Sequence, residues 1–333
     1  MNKKYNYWPP IFLIGGLFVA IIIAIFINAV PGQYQKSMLV MGTAAEIIVK
    51  DKNTDNAQLA VNQAFDEIKR LEKVFSFHNP DSELNKINNN AFPAPYRVSD
   101  EMYQVLEQSM SASDKTSGLF DITSGSLSRL YGFTMAYNKR VPNDNELVKT
   151  MKLVDYRLIR LDPANRTVRF VKKGILLDMG GVVKGYAVDR AVSVLRENGI
   201  KAALVNIGGN MYGFGHKPWK IGVRHPRDKD KIIEIITLKD EGVATSGDYE
   251  RFFINNSVRV HHIFDPRTGK SASGNIGVTI IAGNALTADI YSTGIFVLDH
   301  KKAKEVIKKE NLMAIIVSED NGGDITIDKV GII

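Results

Sequence analysis

A short glycine-rich segment is the part of this sequence best suited to binding an anion. The aliphatic run 175–177 ends at Asp178, and two glycines, Lys184 and a third glycine follow before an amphipathic helix. Glycines between a strand and a helix let main-chain amides approach a bound anion, and the helix N-terminus favours negative charge. The segment therefore indicates a site for a nucleotide phosphate, although its spacing matches neither common phosphate loop. A plain strand-to-helix turn explains the same residues equally well.

A carboxylate and a hydroxyl four residues apart form a second candidate site. Asp289 and Thr293 fall in a helix predicted over 285–299, so their oxygens share one face. Hard oxygen donors suit Mg²⁺, which completes its coordination shell with phosphate oxygens and water. Such a pair is also common by chance, so a magnesium site and an ordinary helix surface are both open.

Two adjacent histidines precede a turn. His261 and His262 are followed at 265–269 by Asp-Pro-Arg-Thr-Gly, a sequence typical of a turn. An imidazole at this place could act as a general base, because its unperturbed pKa lies near neutrality. The alternative is a strand-end histidine that hydrogen-bonds to the backbone. The chain has only six histidines, which favours a functional role for an adjacent pair.

Phe120 and Asp121 place an aromatic ring beside a carboxylate just after a predicted helix. The pair could stack on a heterocycle and hydrogen-bond to it, or it could be a core ring beside a capping aspartate. Residues 244–249 indicate a polar, glycine-bearing turn before a strand. The sequence contains neither a serine nucleophile elbow nor a histidine pair with metalloprotease spacing, which argues against those two hydrolase classes.

The composition excludes several other functions. The 333 residues carry a net charge of +7, but the basic side chains are spread along the chain, so we do not expect nucleic-acid binding. The sequence contains no cysteine, which excludes disulfides and iron–sulfur clusters. At 44% hydrophobic residues, the chain is long enough for one large domain or two modest ones.

The N-terminus has the pattern of a membrane anchor. Lys3 and Lys4 precede an uncharged apolar run over 11–30, which is long enough for a helix to span the hydrocarbon core. We therefore predict a cytoplasmic segment at 1–10, a transmembrane helix at 11–30, a linker at 31–38 and an exported domain at 39–333. A cleaved signal peptide is the alternative, although the run is long for one and the cleavage pattern is poor.

The elements that must position these side chains are partly segregated along the chain. Apolar residues at three- and four-residue spacing predict a helix that begins at Thr54 or Asp55 and ends near Phe75. A first strand is predicted over 39–50, and strands dominate the second half, one of them at 175–177. We therefore favour an α+β fold over a regular series of alternating strands and helices.

The order of these segments along the chain resembles the ApbE family of FAD:protein FMN transferases. The resemblance spans roughly residues 39–320, and the matching blocks are Met41–Thr43, Pro80–Leu84, Gly118–Thr123, Asp178–Asp189, Asn206–Gly209, Thr245–Tyr249, His262–Gly269 and Asp289–Thr293. It implies an α+β fold with a mixed sheet and packed helices in two lobes, and with FAD in the cleft between them.

The resemblance also assigns a role to individual residues. His262 would be the catalytic base, with His261 as the second choice. The Mg²⁺ ligands would be the main-chain carbonyl of Gly181 and the side chains of Asp289, Ser292 and Thr293. The FAD site would be lined by Met41, Leu119, Phe120, Asp121, Asp178, Lys184 and Ile263. His78 stands where the family usually has an aromatic ring, and its imidazole can still stack on a flavin.

The family implies transfer of FMN from FAD to a threonine or serine hydroxyl, with Mg²⁺ as cofactor and AMP as leaving group. Acceptors would be subunits of membrane redox complexes or exported flavoproteins, which fits an anchor that holds the domain outside the cytoplasm. A Mg²⁺-dependent FAD pyrophosphatase would use the same residues with water as nucleophile. A non-catalytic FAD carrier would need neither metal nor base, and a structural anchor with a decayed site would lack several of the blocks.

Overall fold

The computed structural model describes residues 32–134, 138–320 and 322–331. Over these residues the strands form one large sheet and three small ones. The strands are β1 (Tyr34–Val40), β2 (Thr43–Val49), β3 (Tyr96–Arg97), β4 (Ile159–Asp162), β5 (Thr167–Phe170), β6 (Ala203–Ile207), β7 (Asn210–Phe214), β8 (Trp219–Arg224), β9 (Ile232–Leu238), β10 (Glu241–Gly247), β11 (Phe252–Asn255), β12 (Val258–His261), β13 (Asn275–Ala282), β14 (Met313–Glu319) and β15 (Ile325–Val330). The helices are α1 (Thr54–Phe75), α2 (Glu83–Asn90), α3 (Asp100–Lys115), α4 (Gly125–Leu130), α5 (Asp144–Met151), α6 (Val183–Glu197), α7 (Ala285–Val297) and α8 (His300–Lys309).

The large sheet has the strand order β1-β2-β6-β7-β10-β13-β14-β15. Its middle is apolar on both faces, and all eight residues of β13 are buried. Helix α7 packs on one face, while the β8–β9 hairpin packs on the other through Val223, Ile236 and Leu238. Burial on both faces explains why β13 is almost continuously apolar rather than alternating.

Helix α1 confirms the prediction from the apolar spacing. It begins at Thr54, directly after Asn53, whose side chain accepts a hydrogen bond from the Asn56 N–H and so caps the helix. It ends at Phe75, and its apolar face is buried against α6 and the β1–β2 hairpin. Phe75 and the residues that follow it reach the cavity described below.

Helices α6 and α7 approach each other closely because a glycine stands where they meet. A Cβ on Gly185 would lie 2.3 Å from the Ala285 carbonyl oxygen and 2.7 Å from Asp289 Cβ. A side chain at this position would therefore force the two helices apart. The contact brings the start of α6 against the first two turns of α7.

The first strands differ from the prediction. The linker expected at 31–38 is largely strand, and the single strand expected over 39–50 is broken by a turn, so that β1 and β2 form an antiparallel hairpin. Met41 and Gly42 make the turn with φ angles of 55° and 70°, the left-handed pair that suits a two-residue hairpin. Methionine is not a usual turn residue, so the sequence did not indicate this turn.

Two other predicted elements are also wrong. The run 175–177 is buried but joins no sheet in the described part of the chain, because the Asn88 side chain takes the place of a neighbouring strand. Asn88 Oδ1 accepts from the Leu177 N–H at 2.8 Å, and Asn88 Nδ2 donates to the Leu177 carbonyl at 3.1 Å. Conversely, most of the turn expected at 244–249 belongs to β10, which ends at Gly247.

The α+β class is confirmed by this architecture. The resemblance implied a mixed sheet, whereas all seven pairings of the large sheet are antiparallel. Even β13 and β14, which are connected through two helices, α7 and α8, run in opposite directions. The predicted transmembrane helix at 11–30 lies outside the described residues, and none of the helices within them has the length and apolarity to cross a bilayer.

Candidate active site

A cavity of about 610 Å³ brings the sequence-predicted site residues together. This volume lies within the range of about 300–1,000 Å³ that is usual for small-molecule and cofactor sites. Of the predicted residues, the cavity is lined by Met41, His78, Leu119, Phe120, Asp121, Asp178, Gly181, Lys184, His262, Ile263, Asp289 and Thr293. Ser292 and His261, the second choice for the base, are buried and do not line the cavity.

Asp289 is a buried carboxylate on this cavity with few hydrogen-bond partners. Its Oδ2 accepts from the Gly185 N–H at 2.9 Å, and its Oδ1 lies 3.9 Å from Lys184 Nζ. No other described residue donates a hydrogen bond to this carboxylate. Burial raises the pKa of the Asp289 carboxyl, opposed in part by the Lys184 charge. A cation bound beside this carboxylate would favour its ionised form.

Hydroxyl groups lie beside this carboxylate on α7 and β10. Thr293 faces Gly181 so closely that a Cβ on the glycine would lie 2.8 Å from Thr293 Oγ1. Ser246 Oγ lies 2.8 Å from Ser292 Oγ and 3.2 Å from Thr293 Oγ1. Ser292 donates to the Asp289 carbonyl oxygen at 2.9 Å, which fixes it within the helix. Ser246 lines the cavity and was missed from the sequence, because it lies in a strand that was expected to be a turn.

The first turn of α7 is held in place by Asp189 of α6. Its two carboxylate oxygens accept hydrogen bonds from the main-chain N–H groups of Ala285 and Leu286, at 2.8 and 2.9 Å. Asn284 caps the same helix by accepting from the Thr287 N–H at 2.7 Å. Burial raises the pKa of Asp189 to about 6. The acidic residue at the end of the 178–189 block thus fixes α7, and with it Asp289, relative to α6.

This donor set fits Mg²⁺. The described residues contain no group of three or more His, Asp or Glu side chains that could hold a metal. A cation here would therefore depend on the Asp289 carboxylate, the Thr293 hydroxyl, the Gly181 carbonyl and oxygens of the ligand. Mg²⁺ is the ion that commonly binds through one carboxylate together with phosphate oxygens and water. The ligand roles of Gly181, Asp289, Ser292 and Thr293 stay predictions.

His262 presents a neutral imidazole to the cavity. Its Nδ1–H donates to the Arg251 carbonyl at 3.2 Å, and its main-chain N–H donates to the same oxygen at 3.1 Å. Because a carbonyl oxygen only accepts, Nδ1 carries the proton and Nε2 is left as a proton acceptor. Burial, followed by the positive charge of Arg251, lowers the pKa of His262 to about 3. The ring is therefore neutral at physiological pH.

His261 has a structural role instead. Its Nε2–H donates to the Ala272 carbonyl at 2.9 Å, and its Nδ1 accepts from the Ile263 N–H at 3.3 Å. The ring is buried and packs edge-on against Phe296, with centroids 5.7 Å apart. With both nitrogens engaged, His261 has no free atom for a ligand proton. The alternative of a strand-end histidine bonded to the backbone thus describes His261, while His262 faces the cavity.

Asp121 combines a structural role with its place on the cavity wall. Its Oδ1 accepts from the Thr123 N–H and hydroxyl at 2.8 and 2.6 Å, and its Oδ2 accepts from the Tyr156 N–H at 2.9 Å. The interpretation as a capping aspartate is confirmed, since Asp121 caps a short 3₁₀ helix. Burial raises the pKa of Asp121 to about 6. The adjacent Leu119 and Phe120 are buried beside the cavity.

Two parts of the cavity wall are held by Glu72 and Ser128, which the sequence did not identify. Glu72 Oε1 accepts from the Met41 N–H at 2.6 Å, which holds the tip of the β1–β2 hairpin against α1. The Ser128 hydroxyl donates to Asp178 Oδ2 at 3.0 Å, and the Gly180 N–H donates to Asp178 Oδ1 at 2.9 Å. Only the folded chain reveals these pairings, because 31 and 50 residues separate the partners.

Comparison with known proteins places the chain in one family. A model of the ApbE family matches residues 41–316. The chain is 31% identical over 299 residues to the FAD:protein FMN transferase of Treponema pallidum (strain Nichols), a match that covers 83% of this chain and 82% of that protein. It is also 31% identical over 292 residues to an FAD:protein FMN transferase of Klebsiella pneumoniae (strain 342), with 86% and 90% covered.

Solved structures show the same likeness. The crystal structure of the ApbE protein from Thermotoga maritima superposes with a TM-score of 0.84 at 36% identity, over 90% of this chain and 97% of that one. The flavin transferase ApbE from Vibrio cholerae superposes with a TM-score of 0.79 at 25% identity, with the same coverage of both chains. The similarity in fold therefore extends over nearly the whole chain.

Proposed function

The chain belongs to the ApbE family, and from this membership we propose that it is an FAD:protein FMN transferase that uses Mg²⁺ to move FMN from FAD to a threonine or serine hydroxyl of a target protein. The product would carry FMN through a phosphodiester, and AMP would be released. The relatives compared above carry the name of this transferase. The metal and the acceptor residue go beyond that name and rest on the chemistry of the cavity.

One observation carries the proposal. A buried, underpartnered carboxylate with neighbouring hydroxyls and a neutral imidazole with a free Nε2 line the same cavity. The carboxylate is Asp289 and the imidazole is His262. A protein that only stored FAD would need neither a buried carboxylate for a cation nor a base, so this combination supports a transferase over a carrier.

The phosphate-binding end of the cavity is formed by the start of α6. Lys184 projects from the first turn of this helix, where its charge and the helix N-terminus both favour the FAD pyrophosphate. The Gly181 carbonyl with the Asp289 and Thr293 side chains would hold Mg²⁺, which when bound offsets the negative charge on the phosphates. Leu119, Phe120 and Met41 provide apolar wall for the ring systems of FAD.

The base of the proposed transfer is His262, which lines the same cavity. Its Nε2 takes the proton of the acceptor hydroxyl, and the oxygen attacks the phosphorus that bears the FMN half. A new P–O bond forms, the bond from that phosphorus to the bridging oxygen breaks, and the electron pair leaves with AMP. The Arg251 carbonyl keeps the imidazole in the tautomer that this step requires.

We also propose that residues 11–30 anchor the protein in the cell membrane with the domain on the extracytoplasmic side. The support is the uncharged apolar run that follows Lys3 and Lys4. Acceptors would then be subunits of membrane redox complexes or exported flavoproteins. Protease protection in sealed vesicles tests this orientation: the domain should be cleaved only from its extracytoplasmic side.

The transferase is tested by incubating the full-length protein with FAD, Mg²⁺ and a candidate acceptor that bears an exposed threonine. The intact mass of the acceptor should rise by one FMN, only when Mg²⁺ is present. An acceptor with threonine replaced by valine is the matched control and should not change in mass. His262→Ala should leave FAD bound but slow the transfer by at least about 100-fold. Modification at an unchanged rate in His262→Ala would contradict its role as base.

A further inference from the structure

Arg251 is a cation on the cavity wall that the assignments above leave without a role. It precedes β11 and is exposed toward the cavity beside His262. Among the described residues, one lysine and one arginine line the cavity, Lys184 and Arg251. Lys184 Nζ donates to the Gly180 carbonyl at 2.9 Å and lies 3.9 Å from Asp289 Oδ1, so its charge already has a partner.

Arg251 has no carboxylate partner. Its Nη2 donates to the Phe133 carbonyl at 2.7 Å, and within the described residues it forms no ion pair. The adjacent Glu250 pairs with Arg224 instead, at 2.7 Å. The stretches outside the described residues contain no Asp or Glu at all, so no acidic side chain there could neutralise this charge.

The main chain of Arg251 is tied to the base. Its carbonyl accepts both the Nδ1–H and the main-chain N–H of His262, at 3.2 and 3.1 Å. These bonds fix the main chain at Arg251 beside the imidazole, and the bond from Nη2 to the Phe133 carbonyl holds the guanidinium. Both side chains line the same cavity, so one ligand can contact the imidazole and the guanidinium together.

We propose that the Arg251 guanidinium binds a non-bridging oxygen of the phosphoryl group that is transferred, which is an inference that rests on the proposed function. As the acceptor oxygen bonds to phosphorus and AMP leaves with the bridging oxygen, negative charge spreads over the non-bridging oxygens. The bond to Phe133 engages one guanidinium nitrogen and orients the fork, whose remaining N–H groups can donate to those oxygens. Lysine lacks this planar fork and would replace it only in part.

The guanidinium should also affect the pH at which the base works. The charged and titratable groups around His262 are Arg251 of its own hairpin, His261 next to it and Lys184 of α6. Arg251 opposes protonation of the imidazole, so removing its charge makes His262 easier to protonate. The acid limb of the rate profile should therefore move to higher pH when Arg251 is replaced by an uncharged residue. A residue that only supported the fold would not shift this limb.

The test compares Arg251→Met and Arg251→Lys with Arg169→Met, in which an exposed arginine of β5 away from the cavity loses its charge. The probe is FAD with Mg²⁺ in the full-length protein, with AMP release measured across pH. We expect Arg251→Met to lower kcat at least about 100-fold, as for the loss of one preorganised donor to a transition-state oxygen. Arg251→Lys should recover part of the rate, and Arg169→Met should match the wild type.

A second readout needs no turnover. Inorganic pyrophosphate with Mg²⁺ should bind the wild type and Arg169→Met equally, and Arg251→Met at least about tenfold more weakly. Unchanged pyrophosphate binding together with an unchanged kcat in Arg251→Met would overturn the proposal. If the wild type releases no AMP with any acceptor while Arg251→Met still loses pyrophosphate affinity, the transferase assignment fails and the anion site at Arg251 stands.

Discussion

The main-chain N–H of Gly185 donates to Asp289 Oδ2 over 2.9 Å, which fixes the start of α6 directly to the buried carboxylate of α7. The residue before Gly185 is Lys184, and the residues just ahead of the helix include Gly181. One hydrogen bond thus links the segment proposed to bind phosphate with the carboxylate proposed to bind the metal.

Asp289→Asn should abolish the response to Mg²⁺ without unfolding the protein. The amide oxygen can still accept from the Gly185 N–H, but the negative charge is gone. We expect Mg²⁺-dependent AMP release to fall at least about 100-fold. Because ionised Asp289 is buried, the thermal midpoint of the variant in metal-free buffer should equal or exceed that of the wild type. Full activity in this variant would remove Asp289 from the metal site.

Gly185→Ala should separate the two helices. The added Cβ would lie 2.3 Å from the Ala285 carbonyl oxygen, so the helices must move or the backbone must strain. We expect a loss of about 1–3 kcal/mol in the free energy of unfolding, measured by urea denaturation, and reduced turnover. Gly283→Ala is the matched control, since nothing lies within 4 Å of its added Cβ. Equal stability of the two variants would show that the helix contact tolerates a side chain.

Thr293 and Ser292 should respond differently to loss of their hydroxyls. Thr293 lines the cavity, whereas Ser292 is buried behind it and bonds to the Asp289 carbonyl and to Ser246. We expect Thr293→Val to raise the Mg²⁺ concentration for half-maximal rate about 10–100-fold, and Thr293→Ser to retain most of the affinity. Ser292→Ala should mainly lower stability, by about 1 kcal/mol. If the Mg²⁺ concentration for half-maximal rate rose more in Ser292→Ala than in Thr293→Val, the metal ligand would be Ser292 and not Thr293.

His262 should make the protein less stable in acid. Its pKa is about 3 in the folded protein, below the value near 6.5 of a free imidazole, so the unfolded chain binds the proton more readily. The stability contributed by the neutral ring is complete above pH 6.5 and is lost as the pH falls toward 3. Between pH 7 and pH 5 we expect the wild type to lose up to about 2 kcal/mol more unfolding free energy than His262→Gln. If urea denaturation showed the same loss of unfolding free energy in the wild type and in His262→Gln between these pH values, the lowered pKa of His262 would be contradicted.

The sequence predicted which residues line the cavity better than it predicted the strands that hold them. Asp289 and Thr293 were found because helix periodicity puts them on one face, and His262 because histidine is scarce here. The spacing of these residues could not show that they lie in one cavity, and only the family resemblance implied it. The structure shows all three on the wall of the same cavity.

The missed features depend on contacts between distant residues. Ser246 was missed because β10 is rich in glycine and small polar residues, which have a low propensity for β-strands. The segment is nevertheless a strand, because it pairs with β7 and β13 inside the large sheet. The main-chain groups of Leu177 bond to the side chain of Asn88 instead of to a neighbouring strand. No local sequence pattern predicts this pairing. The distinct roles of His261 and His262 likewise depend on two carbonyl partners, Ala272 and Arg251, that only the fold supplies.

The most direct test of the account compares two amounts in one reaction of the full-length protein with FAD, Mg²⁺ and acceptor. AMP released and FMN attached to the acceptor are quantified at several times, the first by chromatography and the second by intact mass. We expect one attached FMN for each AMP throughout the reaction. AMP accompanied by free FMN and an unmodified acceptor would contradict the transferase and identify water as the nucleophile of a pyrophosphatase.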